Sequence, residues 1–410
     1  MDLSKIIQNK GKYADYIIRE ITNICKNLPK RAPGSEGEKQ ACEYMADVLK
    51  NDCGCDKIKI ESFEEHPGSF FGWIYIDVAT VLICSVLIHF YPGIALIALC
   101  AAVVIALLQF GLYKKAVDVF FAKKTGHNVT AIKSCTGEVK RRIFFNGHAD
   151  AAWEWPVNYK LGGVGFETHA ILGFGGLFYY LILSLIAVIQ FGAFQPISGG
   201  LKKAALWGLL FVPLWIGLLF MWNRFRVVDG ANDNLTGCYM GIALMKALQD
   251  ENIDPENTEI GVIITGSEEA GLRGAIAWGE AHRGEFNDVP TFFYSYDTIH
   301  DPKYLMANYR NLNGTVKSDK DVADLFMEAA KDLDIPCLKG MVPPMGGATD
   351  DAAFTKAGFR AAGITGLNHK LEDYYHTRRD TYDNLNREGI ENCFAVTVKT
   401  LEKFANGAKQ

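Results

Sequence analysis

The sequence lacks strong charge of either sign: 42 Lys and Arg stand against 47 Asp and Glu in 410 residues, a formal net charge of -5. A chain so balanced carries no electrostatic footprint for nucleic acid, and none is expected as a partner. It also lacks a cysteine framework. The 10 cysteines are scattered, with Cys53-Gly54-Cys55 the one close pair. In a chain of this length that pattern reads as reduced thiols in a cytosol. No signal-peptide core follows the polar start Met1-Asp2-Leu3-Ser4-Lys5.

Charge is missing most conspicuously from four stretches. Residues 69–90 and 93–113 are apolar runs separated by Tyr91-Pro92. Residues 170–194 and 204–222 are two more, joined by Gln195-Pro196-Ile197-Ser198-Gly199-Gly200. Each is roughly the twenty residues a helix needs to cross a bilayer. Length and near-absence of charge favour membrane spans over buried core helices. The expectation is an integral membrane protein with four transmembrane helices in two hairpins and the lipid bilayer as a partner. Asp77, the one acid in the first run, reads as an interfacial residue. Pro213 reads as a kink that a membrane helix tolerates.

Outside these runs the chain is patterned as a soluble enzyme. Residues 1–27 read as an amphipathic helix. Ser35, with Glu38 three residues on, reads as a capping box opening a helix to about Lys50. Strands are expected at 57–63, 127–132, 142–146, 259–265, 290–296 and 359–364. Helices are expected at 236–249, 271–282, 319–332 and 388–404. Alternation of this kind gives an α/β fold, a sheet flanked by helices. The expected division is 1–66, 114–168 and 223–410 for the soluble domain, with hairpins at 67–113 and 169–222. Both hairpins leave and return on one side, which carries Lys114, Lys115, Lys123, Lys124, Lys160, Arg224 and Arg226. The opposite loops carry Lys202 and Lys203. The bias places the soluble domain in the cytoplasm.

Five segments end in groups able to bind a metal. His148 and Asp150 close one strand as His-x-Asp. Asp233 precedes a helix in Gly230-Ala231-Asn232-Asp233-Asn234. Glu268 and Glu269 follow the strand 259–265. Asp297 ends another strand, and His376 lies in Tyr374-Tyr375-His376-Thr377 ahead of Asp380-Thr381. Imidazoles mixed with carboxylates suit zinc or a similar divalent ion. Each signal alone has an ordinary explanation: a helix cap, a solvated turn, a packed histidine. Their order and context together are far more specific.

On these residues the chain resembles the co-catalytic di-zinc aminopeptidase family, the metallo-exopeptidases related to bacterial leucyl aminopeptidase and glutamate carboxypeptidase II. The resemblance rests on Gly147-His148-Ala149-Asp150, on Gly230 to Gly237, on Gly266-Ser267-Glu268-Glu269-Ala270-Gly271-Leu272-Arg273-Gly274, on Asp297, and on His376-Thr377 with Asp380-Thr381. Arg31-Ala32-Pro33-Gly34-Ser35 and Ala348 to Phe354 also fit. It covers the soluble parts and leaves the hairpins as insertions. It implies a mixed β-sheet flanked by helices and two zinc ions per chain. His148, Asp233 and Asp297 would hold one ion, and Asp233, Glu269 and His376 the other. Glu268 would be the general base, and Asp150 would fix the His148 tautomer. The Asp233–Asn234 peptide would be cis. Ala151 after Asp150, and Thr298-Ile299-His300 after Asp297, depart from the family pattern and bear on the substrate pocket. His300 and His369 read as surface or packing residues.

Three readings follow. The first is a membrane-anchored zinc exopeptidase, an aminopeptidase acting on peptides. The second is glutaminyl-cyclase-like or other amide chemistry, for which a complete second metal set is superfluous. The third is an inactive binding protein, which the full ligand set argues against. Because the second hairpin lies between Asp150 and Asp233, the site is expected near the membrane surface, with Trp153, Trp155 and Trp222 at the junction. Hydrophobic or membrane-derived peptides are then the expected substrates, with simple anchoring as the equal alternative.

Overall fold

Four apolar strands lie side by side and parallel at the centre of an eight-stranded sheet. The computed structural model describes residues 1–344, 346–368 and 370–407. The sheet strands are β1 (Lys57–Glu65), β2 (Lys124–Lys133), β3 (Arg141–His148), β4 (Thr258–Thr265), β5 (Thr291–Ile299), β6 (Leu305–Asn308), β7 (Leu338–Gly340) and β8 (Arg360–Gly366). Their order is β1-β2-β4-β3-β5-β8-β6-β7. The parallel group is β4-β3-β5-β8. β1 and β2 join it antiparallel, and β6 pairs antiparallel with β8 on the other side. The fold is therefore mixed α/β, as expected.

The chemistry of each strand matches its place. Every residue of β4 is buried, as a strand covered on both faces must be. Burying Ile260, Val262 and Ile264 contributes about 1.5–3 kcal/mol for each side chain. β1 is an edge strand with mostly exposed or half-buried residues, and its Lys57, Lys59 and Glu61 discourage further pairing. Helices Lys10–Asn27, Glu36–Asn51, Thr236–Asp250 and Arg387–Ala405 contribute Ile17, Leu49, Leu244 and Phe394 to one hydrophobic core with Val262 and Tyr294.

Two local expectations are corrected. The first helix is broken at Asn9, into Ser4–Gln8 and Lys10–Asn27. The capping box at Ser35 is only half made. Ser35 Oγ accepts the Glu38 N–H at 3.3 Å, but the Glu38 carboxylate turns away to other partners.

By its contacts the chain divides into two compact units. One comprises residues 1–67, 123–153 and 226–410, and contains the sheet. The other comprises residues 68–122 and 154–225. It holds four helices long and apolar enough to cross a membrane: Ser69–Leu87, Pro92–Gly111, Pro156–Phe191 and Gly199–Leu218. The third is interrupted at Gly162, and the fourth passes through a 3₁₀ turn at Gly208–Phe211 just ahead of Pro213. Val81, Leu99, Tyr180, Leu183 and Trp215 form its core. Its exposed side chains include Ile83, Ile97, Val104, Ile171, Ile182 and Ile189, a surface unlike that of a soluble domain. Asp77 is buried within this unit, not on its surface. Trp155 and Trp222 both pack on Phe71, and Trp153 is buried in the sheet-bearing unit.

Candidate metal centre

Parallel strands deliver side chains from their carboxyl ends to one edge of the sheet, where α/β folds keep their sites. His148 is the last residue of β3. Glu268 and Glu269 follow β4, in a turn where Ser267 takes a positive φ of 55°. Asp297 lies in β5, which runs on past it to Ile299 and bulges at Thr298, φ 52°. That bulge re-aims the strand end after the carboxylate. His376 comes from the segment after β8, its ring stacked on Tyr375 at 4.1 Å.

Asp233 reaches the cluster from the turn ahead of helix Thr236–Asp250. Gly230 opens that turn at φ +61°, and a Cβ there would lie 2.6 Å from both the Ala151 Cβ and the Asp233 carbonyl. Only glycine fits such a position. The Asp233–Asn234 peptide is cis. The Asn234 side chain donates to the Tyr296 carbonyl at 2.7 Å and accepts the N–H of Thr298 at 3.2 Å. It thereby ties the Asp233 turn to the strand bearing Asp297.

The structure brings all seven anticipated residues together. Three sets place their candidate ligand atoms within 4.8 Å of one another: His148, Asp233 and Asp297; Asp233, Glu269 and His376; and His148, Glu268 and Glu269. His148 Nε2 lies 3.3 Å from Asp233 Oδ1, 3.7 Å from Glu268 Oε2 and 3.9 Å from Asp297 Oδ1. His376 Nε2 lies 3.1 Å from both Asp233 Oδ2 and Glu269 Oε1. Asp233 faces both imidazoles, with Oδ1 towards His148 and Oδ2 towards His376.

Asp150 does more than the sequence suggested. His148 Nδ1 faces its backbone carbonyl at 3.3 Å and its carboxylate at 3.4 Å. A proton on Nδ1 leaves Nε2 as the ligand atom. The same carboxylate accepts the backbone N–H groups of Glu268 and Glu269, both at 3.0 Å. Asp380, quoted earlier only as part of a motif, serves the opposite wall. It accepts the N–H of Asn232 at 2.8 Å and that of Asp233 at 3.1 Å. Buried Arg31 donates to the carbonyls of Ala149 at 2.7 Å and Gly230 at 2.8 Å, joining two ligand segments. Such contacts have no local periodicity to announce them. His300 is a packing residue: its Nδ1 meets Asn232 Oδ1 at 3.0 Å and its ring lies on Tyr374. His369 lies outside the described residues.

The electrostatics ask for cations. Asp150, Asp233, Glu268, Glu269 and Asp297 crowd around His148 and His376, and all are largely buried. Burial, with Asp297 and Glu269 alongside, holds the Glu268 carboxyl well above the usual range. Burial and the Asp233 charge push Asp297 up to about 7. Burial opposes ionisation of Asp233, yet its contacts with His148 and His376 hold it well below an ordinary carboxyl. Burial would lower His376, but Glu269 and Asp233 carry it up to about 10. His148 Nε2, Asp233 Oδ2 and Glu269 Oε1 are buried with no hydrogen-bond partner among the described residues. Orphaned imidazole and carboxylate atoms converging on one space are the donor set of a zinc site. The residues present thus fit zinc.

Asp380→Asn is expected to weaken zinc binding about 10- to 100-fold, because Asp233, a candidate ligand, loses its anchor and not its carboxylate. Competition with a chromogenic chelator measures this. An unchanged affinity would deny Asp380 that task.

No curated protein sequence matches this chain. Among solved structures, it is similar to an aminopeptidase from Aneurinibacillus sp. strain AM-1, with a TM-score of 0.56 at 13% identity over 95% of this chain and 93% of that one. BSAP, a zinc aminopeptidase from Bacillus subtilis, gives a TM-score of 0.56 at 12% identity over 95% of each chain. Glutaminyl cyclase from Bacteroides thetaiotaomicron gives 0.53 at 11% identity, covering 95% of this chain and 96% of that one. Residues 221–401 match the model of peptidase family M28. The fold is that of zinc aminopeptidases, and with the family match over residues 221–401 it supports a zinc peptidase.

Proposed function

We propose that this chain is a membrane-anchored di-zinc exopeptidase, an aminopeptidase that hydrolyses the N-terminal bond of peptides. The observation that carries the reading is the pair of ligand sets sharing Asp233, with Glu268 beside them and outside both. His148, Asp233 and Asp297 would hold one ion, and Asp233, Glu269 and His376 the other. Zinc held there would polarise the scissile carbonyl and acidify a water molecule. Glu268, free of both sets, takes the proton from that water and hands it to the departing amine. Asp150 keeps the His148 tautomer and pins the backbone of the Glu268–Glu269 turn.

The test uses the full-length protein purified in detergent, with zinc counted per chain and peptides offered with free and with acetylated amino ends. Cleavage of the free peptides alone supports an aminopeptidase. Less than one zinc per chain and no cleavage would sink the proposal. Peptides starting with Gln address the second reading, which the likeness to a glutaminyl cyclase favours: ring closure without hydrolysis would establish it.

The apolar, outward-facing helices support anchoring in a bilayer. The excess of Lys and Arg at the ends opposite the Lys202-Lys203 loop supports a cytoplasmic site. Ser198→Cys, at an exposed position just ahead of the helix that starts at Gly199, should then react with an impermeant thiol reagent in intact cells. Cys135, partly exposed in the sheet-bearing unit, should react only after lysis. The reverse labelling would invert the orientation. Hydrophobic or membrane-derived peptides are proposed as substrates, since the second hairpin interrupts the chain between Asp150 and Asp233. Equal cleavage of soluble and bilayer-bound peptides would leave the hairpins as anchors only.

A further inference from the structure

Behind the Glu268–Glu269 turn lies a second pair of acids that the mechanism does not use. Glu38 and Glu65 are buried, 0% and 2% exposed, and both face the equally buried hydroxyl of Ser267. Ser267 Oγ is 2.6 Å from Glu38 Oε2 and 2.5 Å from Glu65 Oε1. It also accepts the N–H of Gly34 at 3.1 Å. A hydroxyl owns one proton. With both acids ionised, one of the two short contacts would set lone pair against lone pair. A second proton is required, and only a carboxyl can bring it.

The surroundings say which acid gains from that proton. Glu38 accepts the N–H of His127 at 3.2 Å and shares that of Gly34, at 3.1 Å, with Ser267. No backbone N–H serves Glu65, whose Oε2 is buried without a partner among the described residues. We propose that Glu38 and Glu65 share a single proton through Ser267, and that this neutral-plus-anionic pair is the positioning device for the turn carrying Glu268 and Glu269. Asp150 grips the turn from the front by its N–H groups, and the pair grips it from behind by the side chain just before the base. The inference rests on the peptidase reading for its effect on turnover, but not for the shared proton itself.

The groups facing the pair act consistently. Burial raises both acids, and Asp150 repels the charge of each. Lys124, opposite Glu65 in the β1–β2 ladder, and Arg273 favour ionisation of Glu65 and moderate its rise to about 7. The Cys42 thiol beside Glu38 is itself raised by burial. A carboxyl raised from 4.5 to about 7 on folding stabilises the protein while protonated, and that contribution is lost as pH rises through about 7.

Glu65→Gln and Glu65→Ala separate the possibilities in the full-length, zinc-loaded protein. An amide N–H can stand in for the protonated carboxyl. Glu65→Gln should keep kcat/KM within about threefold of the wild type and bind the same zinc. It should also lessen the fall in melting temperature expected of the wild type as pH rises from about 4.5 to about 7. Glu65→Ala should lose at least about tenfold in kcat with KM and zinc content little changed, because the base is misplaced and the ligands are not. Equal behaviour of the Gln and Ala variants, or a wild-type melting temperature flat across that range, would overturn the shared proton. If Glu65→Ala does not fold, the pH dependence of wild type against Glu65→Gln decides alone. A wild type that binds zinc and cleaves nothing would refute the peptidase reading while leaving that pH dependence to test the pair.

Discussion

Glu268→Gln is expected to keep its zinc and lose turnover by about 10²- to 10⁴-fold. The substitution is nearly isosteric and removes only the capacity to accept and release a proton. The Glu268 backbone would stay where it is, because its N–H is held by Asp150 at 3.0 Å. Its side-chain oxygen approaches His148 Nε2 at 3.7 Å, farther than the 3.3 Å of Asp233 Oδ1. Distance alone does not separate the roles, since Asp297 Oδ1 lies at 3.9 Å; Glu268 is proposed as the base because it stands outside the two sets that share Asp233. The effect should fall on kcat, since substrate binding does not need the proton shuttle. Metal analysis beside steady-state kinetics separates the outcomes. Near-wild-type kcat would remove Glu268 from the role. Loss of zinc in step with activity would make it a ligand.

Asp233→Ala should have the larger effect, abolishing activity and stripping the site of both ions. Asp233 stands in two of the three ligand groups, facing His148 and His376 with different oxygens. Without it, both sets that share it are left incomplete, His148 with Asp297 and Glu269 with His376, each too poor in ligands for zinc. Losing a ligand typically costs far more than losing the group that orients it, so Asp233→Ala should exceed Asp380→Asn by at least about tenfold in zinc affinity. Added zinc raises the melting temperature of a protein that binds it when folded. That rise should be present in the wild type and Glu268→Gln and absent in Asp233→Ala. Unchanged zinc content in Asp233→Ala would refute the bridging role.

The sequence was most informative where chemistry sits at the end of a regular element. β3, β4 and β5 announced themselves by apolar runs, and His148, Glu268, Glu269 and Asp297 were found by looking just past or at their ends. The central parallel order follows from strands alternating with helices. The short strands β6 and β7 and the helix Asp351–Ala357 went unseen, because they are too brief to show a period. Glu38 shows the limit most clearly. Its spacing from Ser35 spelled a local capping box, and half of it formed. Its side chain was claimed instead by Gly34, Ser267 and His127, two of them far away in the chain. Tertiary partners outbid a local motif when burial makes an unpaired acid costly. Arg31 and Asp380 were quoted from a resemblance, but what they hold together could be read only from the folded chain.

The order of the ligands along the chain has a consequence for biosynthesis. His148 precedes the second apolar hairpin, Asp233 follows it, and His376 comes within the last tenth of the sequence. During synthesis from the amino end, all four apolar helices have been made before the last ligand exists. On the proposed reading, the segments that enter the bilayer are complete before Asp233, and so before either ligand set, has been made. Zinc would then be the last part to join, closing a unit whose ligand segments are separated in the chain by apolar helices.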